Sequence, residues 1–321
     1  MTDVVIGMLF PPEPGIVGIF RDALPKGWSV VVSNGNADTP DFAEQLPRLD
    51  YLLVYGNRLE RRHLERATRL RMIQKVGIGV DDLDVDFCRE RGIVVAVCAV
   101  GAVEAVAEHA LTLALTALKR IVDLDDSTRR NREWDRWRLR GGIRQLAGST
   151  VGVVGYGSIG RTTTALMESL GAHVLVYARR PLDLSQSRRV RQCDSLEQLF
   201  EEASIVTLHV PLTAETRGMV GEDLLVRLGP QGILVNTARG AVVNEDDLLM
   251  VLSDGRLGFA ALDVLASEPP SPDNALLFLP NLLLTPHVGG GGFDILRRKA
   301  LFVTDNLQTH QAGRPVEAQA I

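Results

Sequence analysis

Short apolar runs alternate with helical patterns along the whole chain of 321 residues. In the first third, strands are predicted at VVIGML, SVVVS, DYLLVY, RMIQKVG and GIVVAV. The pattern then restarts with TVGVVGYG, HVLVYA, SIVTLHV, GILVNTA, LGFAALDV and NLLLT. Strands that alternate with helices predict parallel sheets joined by crossover helices. We therefore expect an α/β protein with two doubly wound parallel-sheet domains, which suits the length of the chain.

Two segments set the expected domain boundaries. Residues 103–122 predict one buried helix, because charged residues such as Glu108 and Lys119 would be costly in a bilayer. Residues 293–312 are amphipathic and have no strand after them, so we expect them to pack back on the first unit. The predicted domains are residues 1–100 plus 290–321 and residues 101–289.

Composition and charge argue against several classes of partner. A formal net charge of -5 gives no general attraction to nucleic acid or to anionic membranes. The first residues lack the basic region of a secretory signal. Cys88, Cys98 and Cys193 show no metal-binding spacing. We expect a cytoplasmic protein with no metal site and with neither nucleic acid nor membrane as a partner.

The stretch TVGVVGYGSIGR predicts a dinucleotide site. Gly155, Gly157 and Gly160 have G-x-G-x-x-G spacing between a predicted strand and a predicted helix that starts with Ser158 and Ile159. The first glycine permits a tight turn, the second lets the backbone approach a pyrophosphate, and the third allows close helix packing. The helix N-terminus offers N–H groups to the phosphates. The alternative is a glycine-rich turn without a ligand.

The next strand ends in two arginines, where NAD sites usually carry an acidic residue. The sequence there is HVLVYARRP, with Ala178 followed by Arg179 and Arg180. A carboxylate would hold the ribose hydroxyls of NAD and repel a 2′-phosphate, whereas a guanidinium binds phosphate with two hydrogen bonds. We predict that NADP is preferred and that NAD is possible. The alternative is a pair of solvated arginines at a strand end.

Three later motifs each follow a predicted strand: VNTARG with Arg239, ALDVLASEPP with Glu268, and TPHVGG with His287. We expect these side chains to converge in one crevice at the ends of the strands. Hydride transfer to a 2-keto acid needs a cation for the carboxylate, a proton donor, and a group that tunes the donor. The planar fork of arginine suits the first role and histidine the second, while glutamate raises the pKa of an imidazole.

As a set, these motifs resemble the NAD(P)-dependent D-2-hydroxyacid dehydrogenase family over nearly the whole chain. The resemblance is carried by KVGIGVDDLD, EAVAEHALTLALTALKR, VGVVGYGSIGR, HVPLTAETRGM, VNTARGAVVNEDDL, ALDVLASEPP and LTPHVGG. It implies a flavodoxin-like substrate domain and a Rossmann dinucleotide-binding domain. It also implies that Arg239 binds substrate and aids catalysis, that His287 is the acid/base, and that Glu268 pairs with His287.

The resemblance implies further contacts. Cofactor contacts are expected at His209, Val210, Pro211, Thr216, Thr237, Ala238, Asp263 and Gly289. The substrate carboxylate is expected at the backbone of Val76, Gly77, Ile78 and Gly79, and residues 55–58, which include Tyr55 and Gly56, are expected to face the substrate. Members of the family usually dimerise through the region that corresponds to residues 103–142, so a homodimer is expected.

Departures from the family pattern narrow the expected function. The sequence Ala178-Arg179-Arg180 stands in place of the acidic residue of NAD sites, and in this it resembles the NADPH-using glyoxylate and hydroxypyruvate reductases. Formate dehydrogenases of the superfamily have Gln in place of Glu268, so formate is disfavoured. The run GGGGFD after His287 is more flexible than the small-residue helix start that is usual in the family.

We therefore predict an oxidoreductase that transfers hydride between NADP(H) and a small D-2-hydroxyacid or 2-keto acid, in the reductase direction and on a glyoxylate- or hydroxypyruvate-like substrate. One alternative is an NAD-dependent enzyme of the phosphoglycerate or phosphite type. An alternative of another class is a nucleotide-sensing, corepressor-like binding protein.

Overall fold

A computed structural model describes residues 4–56, 59–132, 134 and 137–320 of the chain. The chain divides into two compact units. The first comprises Met1–Ala102 and Gly290–Ile321, and the second comprises Val103–Gly289. The boundary between them thus falls after residue 102, where the sequence analysis placed it after residue 100.

In the described residues of the first unit, five parallel strands form one sheet in the order β2-β1-β3-β4-β5. The strands are β1 (Val5–Leu9), β2 (Ser29–Val32), β3 (Tyr51–Val54), β4 (Met72–Lys75) and β5 (Val94–Ala96). This is the flavodoxin-like strand order. Every residue of β1, β3 and β4 is buried, because parallel sheets are covered by helices on both faces.

The helices of the first unit cover both faces of this sheet. They are α1 (Pro14–Ala23), α2 (Pro40–Ala43), α3 (Arg61–Arg66), α4 (Val85–Glu90) and α11 (Phe293–Gln311), with a 3₁₀ turn at Leu46–Arg48. Leu296, Ala300, Val303 and Leu307 recur at helical spacing on α11 and are buried in one apolar cluster with strand residues such as Met8. The C-terminal helix therefore packs on the first unit.

In the described residues of the second unit, seven parallel strands form one sheet in the order β12-β11-β10-β9-β6-β7-β8. They are β6 (Thr150–Val154), β7 (His173–Tyr177), β8 (Val190–Gln192), β9 (Ile205–Leu208), β10 (Ile233–Asn236), β11 (Phe259–Leu262) and β12 (Leu282–Leu284). The chain winds outward from β6 to β8 and returns past β6 to β12, as in a Rossmann sheet. The predicted fold class is confirmed.

The helices of the second unit are α5 (Ala102–Lys119), whose first residue still belongs to the first unit, α6 (Ile121–Arg129), α7 (Ser158–Ser169), α8 (Leu196–Glu202), α9 (Glu222–Leu228) and α10 (Glu245–Ser253), with 3₁₀ turns at Arg138–Gly142, Gly240–Val242 and Ala275–Phe278. The expectation of one buried helix over residues 103–122 is wrong at its end. Arg120 takes a left-handed conformation with φ of 52° between α5 and α6, and the carbonyl of Leu118 accepts a hydrogen bond from Arg144 N–H at 2.9 Å. Beyond this break, Ile121 and Val122 are 51% and 48% exposed.

The sequence analysis missed β8. Its three residues, Val190, Arg191 and Gln192, are too few to show an alternating pattern, and β8 pairs only with β7 at the edge of the sheet. Its position is set by pairing with β7 rather than by its own hydrophobicity.

The described helices include none that is both long and apolar enough to cross a bilayer. Among the described residues, no group of three or more His, Cys, Asp and Glu side chains could hold a metal ion. Cys88, Cys98 and Cys193 are buried free thiols, and burial raises the pKa of Cys88 to about 11. The Cys88 thiol therefore stays protonated near neutral pH.

A close contact at the centre of β6 generates a stability prediction. A Cβ atom added at Gly152 would lie 2.4 Å from Leu199 Cδ2 on α8. We expect Gly152→Val to lower the free energy of unfolding by about 1–3 kcal/mol, because overpacking displaces α8. Urea denaturation measures the change.

Gly18→Ala on α1 is the control, because a Cβ there would meet nothing within 4 Å. This change should raise the free energy of unfolding by about 0.5–1 kcal/mol. A Gly152→Val protein as stable as the wild type would contradict the described packing of α8 on β6.

Candidate active site

Three adjacent strands of the second unit each precede one of the expected catalytic residues, which are Arg239, Glu268 and His287. The strand before Arg239 is β10, the strand before Glu268 is β11, and the strand before His287 is β12. These strands are neighbours in the sheet and run parallel. Their carboxyl ends therefore share one edge, where open α/β sheets bind ligands.

Glu268 and His287 form a hydrogen-bonded pair. Glu268 Oε2 lies 2.6 Å from His287 Nδ1, and Leu265 N–H donates to Glu268 Oε1 at 2.9 Å. The hydrogen bond to Glu268 raises the pKa of His287, although burial and the charge of Arg239 oppose this effect. Burial raises the pKa of Glu268, but its hydrogen bonds and the charges of His287 and Arg239 lower it overall. The pair thus favours a protonated imidazole beside an ionised carboxylate.

Arg239 adds a positive charge that acts on both Glu268 and His287. Its carbonyl accepts a hydrogen bond from Asn236 Nδ2 at 2.9 Å, and Ala238 N–H donates to Asn236 Oδ1 at 3.0 Å. The guanidinium Nη1 donates to the carbonyl of Ala238 at 2.7 Å. The buried amide of Asn236, at the end of β10, therefore fixes the backbone that carries Arg239.

Gly240 brings the Arg239 and Glu268 loops together. A Cβ at Gly240 would lie 1.9 Å from the carbonyl carbon of Leu265 and 2.2 Å from the nitrogen of Ala266. Only a residue without a side chain allows this approach of two backbones. The sequence analysis gave Gly240 no role, and the only available signal was its place directly after Arg239 in VNTARG.

Asp263 anchors the loop that carries His287. Its buried carboxylate accepts hydrogen bonds from Thr285 Oγ1 at 2.5 Å, Val288 N–H at 3.0 Å and Gly289 N–H at 2.8 Å. Burial raises the pKa of Asp263, but the hydrogen bonds that it accepts lower it overall, so the group stays ionised. This anchor holds His287 in a left-handed conformation with φ of 53°, which non-glycine residues rarely adopt.

His109 is a second residue to which the sequence analysis gave no role. Its Nε2 lies 3.0 Å from Thr285 Oγ1 and 3.2 Å from Asp263 Oδ1, so α5 supports the same loop. A Cβ at Gly289 would lie 2.8 Å from Asp263 Oδ2 and 3.2 Å from His109 Cδ2. Packing therefore accounts for Gly289, which we expected as a cofactor contact. The signal for His109 was a lone histidine in EAVAEHALTLALTALKR.

The glycine loop lies between β6 and α7, as its spacing predicts. Gly155 has φ of 96°, and a Cβ there would lie 2.5 Å from the carbonyl oxygen of His209. A Cβ at Gly160 would lie 2.1 Å from the carbonyl oxygen of Gly155. At Gly157 a Cβ would meet nothing within 4 Å. The chain itself requires the first and third glycines, whereas the second leaves room for an external group.

Two further observations fit a bound dinucleotide. Gly157 is the N-cap of α7 and supplies no side-chain hydrogen bond, so the first N–H groups of this helix lack a side-chain cap. Exposed Ser158 and partly buried Ile159 lie in this first turn. The buried hydroxyl of Thr237 has no hydrogen-bond partner among the described residues. An uncapped helix N-terminus and an unsatisfied buried hydroxyl are both groups that a phosphorylated ligand can satisfy.

Several other residues that we expected to contact the cofactor make contacts within the chain. Thr216 Oγ1 donates to the carbonyl of Pro211 at 2.7 Å and closes its own loop. His209 Nε2 lies 3.0 Å from Thr207 Oγ1, and burial lowers the pKa of His209 to about 4, so this imidazole is neutral. Ala238 is buried, and Val210 packs against the core. Cofactor binding by these residues stays a prediction.

β7 ends at Tyr177, and one residue later come Arg179 and Arg180, which are both exposed. They stand at the carboxyl end of the strand next to β6, which leads into the glycine loop. This is the place at which the acidic residue of an NAD site is expected.

The predicted substrate residues belong to the first unit. The side chain of Val76 is fully buried, so only its backbone is available to a ligand, whereas Ile78 is 40% exposed. Gly77 accepts a hydrogen bond from Cys98 N–H at 3.0 Å. Tyr55 packs its ring against Phe10, with centroids 5.8 Å apart. Substrate binding by these residues stays a prediction.

Some predicted positions lie outside the described residues. They are residues 57 and 58 of the expected substrate segment, and residues 133, 135 and 136 of the expected dimer segment, residues 103–142. The role of the remaining dimer segment stays a prediction.

Comparison with known proteins assigns the family. The sequence profile described as D-isomer specific 2-hydroxyacid dehydrogenase, NAD binding domain, matches residues 111–289. A D-3-phosphoglycerate dehydrogenase from Methanocaldococcus jannaschii is 33% identical over 86% of this chain and 52% of its own length, so this chain spans about half of that relative. A glyoxylate reductase from Aeropyrum pernix is 33% identical over 78% of this chain and 76% of its own.

A solved structure is similar over both units. It is an NADPH-dependent glyoxylate/hydroxypyruvate reductase from Sinorhizobium meliloti in complex with NADP and malonate, 28% identical, with a TM-score of 0.84 over 99% of this chain and 97% of its own. The site geometry, the strand orders and these similarities agree. The chain belongs to the D-isomer specific 2-hydroxyacid dehydrogenase family.

Proposed function

We propose that the protein is an NADPH-dependent reductase that converts a small 2-keto acid, such as glyoxylate or hydroxypyruvate, to its hydroxyacid. The observation that carries the proposal is the 2.6 Å hydrogen bond between Glu268 and His287, with the charge of Arg239 acting on both groups. NADPH, when bound, supplies the hydride for the carbonyl carbon.

His287 acts as the proton donor to the carbonyl oxygen. Nδ1 of His287 is hydrogen-bonded to the carboxylate of Glu268, so Nε2 is the ring nitrogen that carries the transferable proton. Because the hydrogen bond to Glu268 raises the pKa of His287 above its ordinary value, a larger fraction of the imidazole is protonated near neutral pH. In the reverse direction the same nitrogen accepts the proton.

Arg239 orients the substrate and stabilises charge. A guanidinium binds a carboxylate through two parallel hydrogen bonds, and its positive charge favours the negative charge that develops on the carbonyl oxygen. Binding of the carboxylate by the backbone of residues 76–79 remains part of this proposal.

The residues of the second unit suit NADP. The uncapped N-terminus of α7, with open space at Gly157, would hold the pyrophosphate. Exposed Arg179 and Arg180, with Ala178 in place of a carboxylate, would hold the 2′-phosphate. The similarity to the NADPH-dependent reductase from Sinorhizobium meliloti supports this choice.

A second candidate is NAD-dependent oxidation of D-3-phosphoglycerate. The similarity to a D-3-phosphoglycerate dehydrogenase favours it, and the identity is 33%, the same as to the glyoxylate reductase. We prefer the reductase because Ala178 offers no carboxylate to the ribose hydroxyls of NAD.

The Glu268–His287 pair predicts the pH dependence of keto-acid reduction. Reduction needs protonated His287, so kcat should be highest at low pH and fall as pH rises through the raised pKa. Glu268→Gln removes the anion that raises this pKa, so the falling limb should move to lower pH by about one unit or more. The measurement is kcat against pH with saturating NADPH and keto acid.

Glu245→Gln is the matched control for this shift. The Glu245 carboxylate accepts a hydrogen bond from Ala266 N–H at 2.6 Å in the same loop, and the described contacts of His287 do not include it. Its pH profile should match the wild type.

His287→Ala should lower kcat by about 10²–10⁴-fold and leave NADPH binding intact in a fluorescence titration. Undiminished reduction by this variant would exclude His287 as the acid.

A substrate panel separates the two candidate functions. We expect kcat/KM with NADPH to be highest for glyoxylate or hydroxypyruvate, because the guanidinium of Arg239 matches the single carboxylate of these substrates. The panel measures glyoxylate, hydroxypyruvate and 3-phosphohydroxypyruvate, each with NADPH and NADH. A clear preference for 3-phosphohydroxypyruvate with NADH would instead support the second candidate.

The arginines predict the choice of cofactor. Replacing Arg179 and Arg180 by Ala should weaken NADPH binding by about tenfold or more, with a much smaller effect on NADH, because only NADPH carries the 2′-phosphate. Arg191→Ala is the control, because this exposed arginine on the neighbouring strand pairs with Glu202 at 2.5 Å. Wild-type protein that binds NADH more tightly than NADPH would contradict the assignment.

A further inference from the structure

The side chain of Gln192 holds the turn that carries the two arginines. We call residues 178–182 the arginine turn. Gln192 Nε2 donates to the carbonyl of Ala178 at 3.2 Å and to the carbonyl of Arg180 at 3.0 Å, and Gln192 Oε1 accepts a hydrogen bond from Leu182 N–H at 2.9 Å. One neutral amide thus uses its donors and its acceptor on a single short segment.

The position of Gln192 follows from strand pairing. Gln192 is the last residue of β8 and stands opposite Val176 on β7, two residues before the arginine turn begins. Cys193 N–H donates to the carbonyl of Val176 at 2.8 Å, which continues the ladder past the end of β8. The half-buried amide is therefore carried to the arginine turn by the sheet itself.

The hydrogen bonds described above hold the arginine turn from outside, because they come from the side chain of Gln192 on the neighbouring strand. Pro181 has no N–H group to donate within the turn. At the far end, the side chain of Leu182 packs against the apolar core of the second unit. The hydrogen bonds from Gln192 fix two carbonyls, those of Ala178 and Arg180, which are the residues on either side of Arg179.

We infer that Gln192 is a positioning residue that sets the preference for NADP, because it fixes the backbone from which Arg179 and Arg180 reach the 2′-phosphate. The inference rests on the proposed NADP preference. A turn that is ordered before the cofactor binds loses less conformational freedom on binding, which strengthens the contact. The amide also adds no charge, whereas a glutamate here would lose both donors and repel the phosphate.

The test compares two replacements with a matched control. Gln192→Leu removes all three hydrogen bonds at similar volume, and Gln192→Glu keeps an acceptor but loses the donors. The control is Gln198→Leu on α8, because this half-buried glutamine is bonded to Asp194 N–H at 3.1 Å and to Glu202 at 2.9 Å, away from the arginine turn. Fluorescence titration gives dissociation constants for NADPH and NADH, and calorimetry gives them for adenosine 2′,5′-bisphosphate and 5′-AMP.

Gln192→Leu should weaken NADPH and adenosine 2′,5′-bisphosphate by about tenfold, while NADH and 5′-AMP change by less than about twofold. Gln192→Glu should weaken the 2′-phosphorylated ligands at least as much. Because both cofactors titrate the same preparation, an unfolded fraction does not change the ratio of their dissociation constants. Equal weakening of NADPH and NADH, or a Gln192→Leu ratio no different from that of Gln198→Leu, would overturn the inference.

A double variant separates positioning from a general structural role. In a protein that already carries Arg179→Ala and Arg180→Ala, adding Gln192→Leu should not weaken adenosine 2′,5′-bisphosphate further. A full additional loss in that background would show that Gln192 acts without the arginines and would overturn the inference.

The same titrations keep the inference and the proposed function apart. If the arginine variants lose the preference for NADPH and Gln192→Leu retains it, the inference fails and the proposed function stands. If the wild-type protein shows no preference for NADPH, both fail together.

Discussion

The hydrogen bond between Glu268 and His287 depends on a close approach of backbones that leaves no room for side chains. Gly240 lies against the backbone of Leu265 and Ala266, and Gly289 lies against the carboxylate of Asp263. Each contact draws together loops from neighbouring strands of one parallel sheet. Since both groups of the 2.6 Å pair are partly exposed, their geometry comes from these buried supports rather than from their own burial.

Two carboxylates of the second unit serve different purposes because their surroundings differ. Asp263 is 3% exposed and satisfied by backbone and side-chain donors, so it is a fixed structural anion. Glu268 faces an ionisable imidazole at a partly exposed position, so its charge acts on the pKa of His287. In the proposed mechanism the first carboxylate sets where His287 lies, and the second sets its protonation.

The shape of the glycine loop in the second unit is also set by close contacts of the backbone. Gly155 and Gly160 are required by contacts within the chain, and the space at Gly157 is left for a ligand. The arginine turn is similar, because the half-buried amide of Gln192 holds two of its carbonyls while the guanidinium groups remain exposed. In the proposed site, cofactor specificity would thus depend in part on a residue, Gln192, that need not touch the cofactor.

Local periodicity and short motifs were enough to predict the two α/β units, the place of the glycine loop, and the positions of Arg239, Glu268 and His287 after strands. It did not reveal β8 or the break at Arg120, since both depend on pairing with distant segments. It also did not reveal His109, Gly240 or Gln192. Their partners Thr285, Leu265 and Ala178 lie on other strands or loops of the sheet, and only the folded sheet brings them within contact distance.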